Sequence, residues 1–164
     1  MISLFRIAVP VMAFSVCLSM LPQDRVEEVR ARFERELDPV NKAKLMPALG
    51  EAEFRQIQKD VAAGDTTDAL AGFRKYREEA QTCAKELDSK AIDAEKHPAG
   101  FKQLQLSLRQ SLRRLEDVLV TLPGDDQKPF LELREDLELL DRHLIHELFP
   151  SQPGAATDKP KKRP

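Results

Sequence analysis

Hydrophobic residues in the C-terminal part of the chain recur every three or four positions in two successive series. The first series consists of Phe101, Leu104, Leu108, Leu112, Leu115, Leu119 and Leu122. After the turn-forming residues at 122–125, the second series consists of Phe130, Leu133, Leu137, Leu140, Leu144 and Leu148. This spacing places each series on one face of an α-helix. We therefore predict two amphipathic helices that fold back on each other as a long antiparallel pair.

The predicted turn sets a register in which apolar residues of the two helices face each other. Leu112 lies opposite Leu137, and Leu104 lies opposite Leu144. The first helix is net basic and the second is net acidic, which favours ion pairs within the fold. Two helices alone bury too little apolar surface to offset the conformational entropy lost on folding. We expect another layer to cover the pair, either from this chain or from a second copy of the protein.

The N-terminal part of the chain predicts shorter helices. An apolar stripe that begins at Val26 and includes Phe33 predicts a helix over residues 24–37. The helix is expected to end before Pro39, because the residue that precedes a proline disfavours the helical conformation. The prolines and glycine at residues 39–50 predict a bent connection with at most a short helical turn. A further helix is predicted over residues 51–63, with Gly64 as its left-handed cap.

The next predicted helix covers residues 67–94. Its apolar stripe consists of Phe73, Tyr76, Ala80, Cys83 and Leu87. Cys83 on this stripe is expected to be a small buried hydrophobic residue rather than a reactive thiol. The fold class is therefore all-α, a helical bundle or helical-hairpin stack of four to five helices, formed as a single domain by residues 20–150.

The N-terminus has the pattern of a secretory signal peptide. Residues 7–18 are uncharged and apolar, and a highly charged region follows them. The apolar stretch is shorter than the roughly 20 residues that a membrane-spanning helix needs. We predict a signal peptide over residues 1–19, cleaved after Ser19, and a secreted or periplasmic protein with no membrane association once it is removed. The alternative is a short buried or uncleaved N-terminal helix.

The charge balance limits the classes of partner. The chain has 26 basic and 28 acidic residues, and removal of the leader with its Arg6 leaves 25 basic residues. A mildly acidic surface does not predict binding to nucleic acid or to anionic membranes. Residues 151–164, rich in proline and lysine, are predicted to be a disordered, locally basic tail.

Motifs of common enzymes are absent from the sequence. It contains no glycine-rich phosphate loop, no Gly-x-Ser-x-Gly motif and no His-Glu-x-x-His zinc motif. The serines have no histidine nearby in the sequence to activate them. We therefore predict a protein that is not an enzyme and uses no cofactor.

The histidines form a candidate metal site. His143 and His146 are one helical turn apart, Glu147 is one turn from His143, and the hairpin register brings His97 to the same end. Imidazole and carboxylate groups are suitable ligands for zinc, nickel or copper. Lys102, predicted nearby, would repel a cation. The alternative is that these are surface histidines beside the leucine series.

The sequence favours an exported, non-enzymatic helical protein of the interaction or scaffold class, with a protein partner or a second copy of itself. The alternative function is a helical bundle that binds a ligand or a metal. A pocket lined by converging polar groups would favour the alternative. A continuous exposed apolar stripe would favour the interaction class.

Overall fold

The structure, a computed structural model, describes residues 22–90 and 92–150. This part of the chain forms five α-helices and no β-strand. In chain order they are α1 (Pro22–Arg35), α2 (Pro39–Ala63), α3 (Thr66–Ser89), α4 (Ala99–Thr121) and α5 (Gly124–Leu148). The prediction of an all-α bundle of four to five helices is confirmed. The predicted signal peptide and the predicted tail lie outside the described residues.

The predicted bent connection over residues 39–50 is wrong, because α2 is one continuous helix. Pro39 occupies the first turn, where no backbone N–H is needed, and the Asp38 carboxylate accepts a hydrogen bond from the Asn41 backbone N–H at 2.9 Å. Pro47 lies inside the helix, between the fully buried Met46 and Leu49. Tertiary packing on both sides therefore outweighs the low helix propensity of proline.

The predicted helix ends are confirmed at one position and wrong at another. Gly64 adopts φ 82° and donates its N–H to the carbonyl groups of Asp60 and Val61, which confirms the left-handed cap. The helix predicted over residues 67–94 ends at Ser89 instead. Asp93 accepts a hydrogen bond from the Lys96 backbone N–H at 3.1 Å, and this local turn replaces the end of the predicted helix.

Helix α2 lies at the centre of the fold and packs against α1, α3 and α4, while α5 packs against α3 and α4. An aromatic cluster joins three of these helices. Phe54 of α2 makes edge contacts with Phe73 and Tyr76 of α3, at ring-centroid distances of 5.0 and 5.2 Å. Phe73 also contacts Phe130 of α5 at 5.6 Å. This cluster holds α3 between α2 and α5.

Most members of the two leucine series are buried, whereas Leu112, Leu140 and Leu148 are partly buried. Polar contacts also join α4 and α5. Gln105 donates to Asp141 at 2.9 Å, and Arg134 pairs with Glu116 at 3.6 Å. Helices α2 and α3 form the layer that covers this pair. No helix in the described part of the chain is long and apolar enough to cross a membrane.

Candidate functional site

A cleft of about 340 Å³ lies between α1, α2 and α3. Its apolar wall includes Val26, Ile57 and Gly72. Its polar residues are Glu27 and Arg30 from α1, Glu53, Gln56 and Asp60 from α2, and Asp68 from α3. The volume is within the range of small-molecule sites, roughly 300 to 1,000 Å³.

Arg30 binds three carboxylates at the buried side of the cleft. Its Nη1 donates to Glu27 Oε1 at 2.6 Å, its Nη2 to Glu53 Oε1 at 2.5 Å, and its Nε to Glu79 Oε1 at 3.2 Å. The Glu53 side chain is 2% exposed and that of Glu79 is 12% exposed. Glu27 is on the surface. We call Arg30, Glu53 and Glu79 the buried charge cluster.

The helical spacing of the sequence brings these charges inside. Arg30 lies between Val26 and Phe33 on the buried face of α1, and Glu79 shares the buried face of α3 with Tyr76. A charged residue inside an apolar stripe is therefore the signal that could have predicted this cluster. The same signal does not tell which charges meet, because the packing of three helices decides that.

Two carboxyl groups in the cluster face one guanidinium. Among the described residues, Oε2 of Glu53 and Oε2 of Glu79 are buried and have no hydrogen-bond partner. Burial, followed by the neighbouring Glu79 carboxylate, raises the pKa of Glu53 to about 8. Burial also raises the pKa of Glu79. At neutral pH the Glu53 carboxyl is therefore mostly protonated, which reduces the repulsion between the two buried carboxyl groups beside Arg30.

The raised pKa of Glu53 predicts a pH dependence of stability. The pKa of Glu53 is raised above its ordinary value of 4.5, so between pH 4.5 and about 8 this carboxyl holds its proton more fully in the folded protein than in the unfolded chain. The free energy of unfolding should then fall as pH rises through that window, by at most roughly 1.4 kcal/mol per pH unit from this group. Glu53→Gln should fall less steeply, because an amide keeps its N–H at every pH.

Urea denaturation at several pH values across this window measures the slope for the wild type and Glu53→Gln. Glu132→Gln, an exposed carboxylate on α5, is the matched control and should keep the wild-type slope. Equal slopes for Glu53→Gln and the wild type would show that Glu53 does not hold the proton.

A second buried polar group links α3 to α4. The Ser111 hydroxyl donates to Tyr76 Oη at 2.7 Å, and Ser107 Oγ lies 3.3 Å from the same oxygen. Burial raises the pKa of Tyr76 to about 12, so the phenol is neutral. These hydroxyl groups hold two helices together, and each serine is bonded to a phenol rather than to a base.

The residues of the predicted metal site do not form one cluster. His143 Nε2 lies 3.0 Å from Asp88 Oδ2, His146 Nδ1 lies 3.6 Å from Glu147 Oε1, and His97 is exposed in the connection from α3 to α4. Within residues 22–90 and 92–150, no three His, Cys, Asp or Glu side chains are grouped to hold a metal ion. The metal site stays a prediction that the geometry does not support.

Cys83 is buried, and burial raises the pKa of its thiol to about 12. A thiol with such a pKa is almost entirely protonated at neutral pH and is a poor nucleophile. This is the environment expected of a small apolar residue in the core, as its place on the α3 stripe predicts.

A groove of about 800 Å³ lies at the other end of the molecule, between α4 and α5. Leu106 and Phe149 line it and are 48% and 56% exposed, with Lys102 and Arg109 beside them. Its polar groups do not converge, since Arg109 is directed to Asp141 at 3.8 Å. The groove is larger than the cleft between α1, α2 and α3, but only the cleft has buried charges in its wall.

Comparison of the chain with models of protein families, with curated proteins and with solved structures gives no match. The geometry and charge of the described residues are therefore the features that indicate a function.

Proposed function

We propose that this protein is a non-enzymatic binding protein that holds a small ligand in the cleft between α1, α2 and α3. The observation that carries the proposal is the Glu53 side chain, which lines the cleft, is 2% exposed and has one buried oxygen with no hydrogen-bond partner among the described residues. Buried ion pairs contribute little net stability, because desolvation offsets the attraction of the charges. Recognition of a ligand is a better reason than folding to place such groups beside a cleft.

Two further properties belong to this proposal. We propose that the protein acts outside the cytoplasm, as a secreted or periplasmic protein, on the basis of the apolar pattern of residues 7–18. Its non-enzymatic character is supported by the buried serines Ser107 and Ser111, whose hydroxyl groups are bonded to Tyr76. The acidic lining of the cleft argues against a nucleic-acid ligand.

Thermal unfolding of the full chain with a panel of small molecules tests the proposal. The panel contains aliphatic amines, amino acids, dicarboxylates and sugars. A ligand at 100 times its dissociation constant stabilises the folded state by about 2.7 kcal/mol, which raises the melting temperature by several degrees. We expect at least one class to produce such a shift.

The variant Asp68→Arg reverses one charge at the mouth of the cleft and should reduce the shift. Glu132→Arg makes the same change on the exposed face of α5 and should leave the shift unchanged. A panel without any shift, or a shift of equal size in both variants, would overturn the proposal.

Interaction with a protein partner or a second copy is the other candidate function. It is favoured by the groove between α4 and α5, where Leu106 and Phe149 expose apolar surface beside Lys102. Exposed apolar patches of this kind occur at protein interfaces. If the panel gives no shift, the groove becomes the better supported site.

A further inference from the structure

We propose that the ligand of the cleft is a small aliphatic amine with at least two ammonium groups, and that its binding releases to the buffer the proton of the Glu53 carboxyl. This inference rests on the proposed function and names the ligand class of the same cleft.

The charge of the cleft favours a cation. Four carboxylate residues line it against one guanidinium, that of Arg30. Every nitrogen of this guanidinium already donates to a carboxylate, so the positive charge of Arg30 is compensated within the protein and offers little attraction to an anionic ligand. A cationic ligand would instead balance the negative charge of the carboxylates that line the cleft.

The spacing of the carboxylates favours more than one ammonium group. Glu53 and Asp60 are two turns apart on α2, a rise of about 10 Å. Glu53 is buried, Asp60 is half-buried, and Asp68 of α3 is exposed at the cleft mouth. Asp60 Oδ1 accepts a hydrogen bond from Gln56 at 2.7 Å, and a carboxylate can accept several more.

The wall between these carboxylates is apolar. Val26 of α1 and Ile57 of α2 line the cleft there, and Gly72 of α3 lies against Ile57. A Cβ on residue 72 would lie 2.9 Å from Cγ1 of Ile57, so glycine allows this close approach. An alkyl chain fits such a wall, with one ammonium group at the buried end and another at the mouth.

The buried end of the cleft couples ligand binding to a proton. Glu53 is faced by Arg30 from α1 and by Glu79 from α3, and Tyr76 is close to both carboxyls. Glu27 pairs with the same Arg30, and Lys75 is close to Glu79. An ammonium group placed there provides the second positive charge that allows both carboxyls to ionise. The Glu53 carboxyl then loses its proton to the buffer, and no covalent bond other than that O–H is broken.

The proton is available to be released at neutral pH. Burial raises the pKa of Glu53 to about 8, so its carboxyl is mostly protonated at pH 7 without a ligand. An aliphatic ammonium group, with a pKa of about 10.4 in lysine, stays charged there. The affinity for the amine should therefore rise with pH up to the pKa of Glu53, by at most roughly tenfold per pH unit.

Isothermal titration calorimetry of the full chain with spermidine and putrescine tests both parts of the inference. Titrations near neutral pH are run in two buffers with different ionisation enthalpies, so that a buffer-dependent heat reports the proton released. We expect saturable binding with release of up to one proton. Butylamine, with one ammonium group, should bind more weakly, and succinate, a dianion, should not bind.

Variants separate the two parts. Asp60→Asn with Asp68→Asn should weaken spermidine binding by roughly tenfold, and Glu132→Gln should leave it unchanged. Glu53→Gln retains Asp60 and Asp68 but loses the carboxylate at the buried end, so it should bind spermidine more weakly than the wild type and without a buffer-dependent heat. If that variant fails to fold, Glu79→Gln replaces it in the same measurement.

The inference is overturned if spermidine and putrescine do not bind, if the double variant binds as the wild type does, or if binding releases no proton. The proposed function survives this failure where another class in the thermal panel gives a shift that Asp68→Arg reduces. Both fail together where no class gives such a shift.

Discussion

Phe73→Ala is expected to lower the free energy of unfolding by about 3–5 kcal/mol. Phe73 is 1% exposed on α3 and contacts the rings of Phe54 on α2 and Phe130 on α5. Its truncation therefore leaves a cavity where three helices meet and removes two edge contacts between aromatic rings. Urea denaturation monitored by circular dichroism measures the loss.

Phe149→Ala is the matched control, because it removes the same side chain at a position that is 56% exposed. Its cost should be less than about 1 kcal/mol. Equal destabilisation by the two variants would mean that the aromatic cluster is not the centre of the core.

Hydrophobic spacing predicted the helices of this fold well where one face is buried. The leucine series of α4 and α5 and the stripe of α3 place apolar residues at every turn, and a glycine with positive φ ends α2 at residue 64. Local signals were misleading in the first half of α2. Pro47 and Gly50 are typical of a break, but here Pro47 follows the buried Met46, and Gly50 allows the Tyr76 ring to approach, since a Cβ would lie 3.2 Å from its Cε2.

The candidate site was harder to predict from the sequence. The spacing of the histidines fits metal ligands, but each of them lies on the surface with at most one carboxylate contact. Arg30, Glu53 and Glu79 come from three separate helices, and no motif of short spacing joins them. Their meeting depends on how α1 and α3 pack on α2, which periodicity within one helix does not determine.

Arg30→Met should be the most pH-sensitive of the destabilising changes. It removes the cation that faces Glu53 and Glu79 and leaves two buried carboxyls without it, a change that costs about 3–5 kcal/mol when the charges cannot be neutralised. Protonation relieves the repulsion at low pH, so the loss should be small near the ordinary pKa of glutamate and largest above the raised pKa of Glu53. Urea denaturation across this range measures the difference.

Arg32→Met, an exposed arginine on the same helix, is the matched control and should change stability by less than about 0.5 kcal/mol at every pH. A triple change of Arg30, Glu53 and Glu79 to methionine tests why the cluster is there. Replacing a buried ion cluster by apolar residues is often neutral or stabilising, so this variant should recover the stability lost in Arg30→Met. It should also lose the release of a proton on titration with spermidine. A triple variant that remains as unstable as Arg30→Met would instead assign the cluster to the maintenance of the fold.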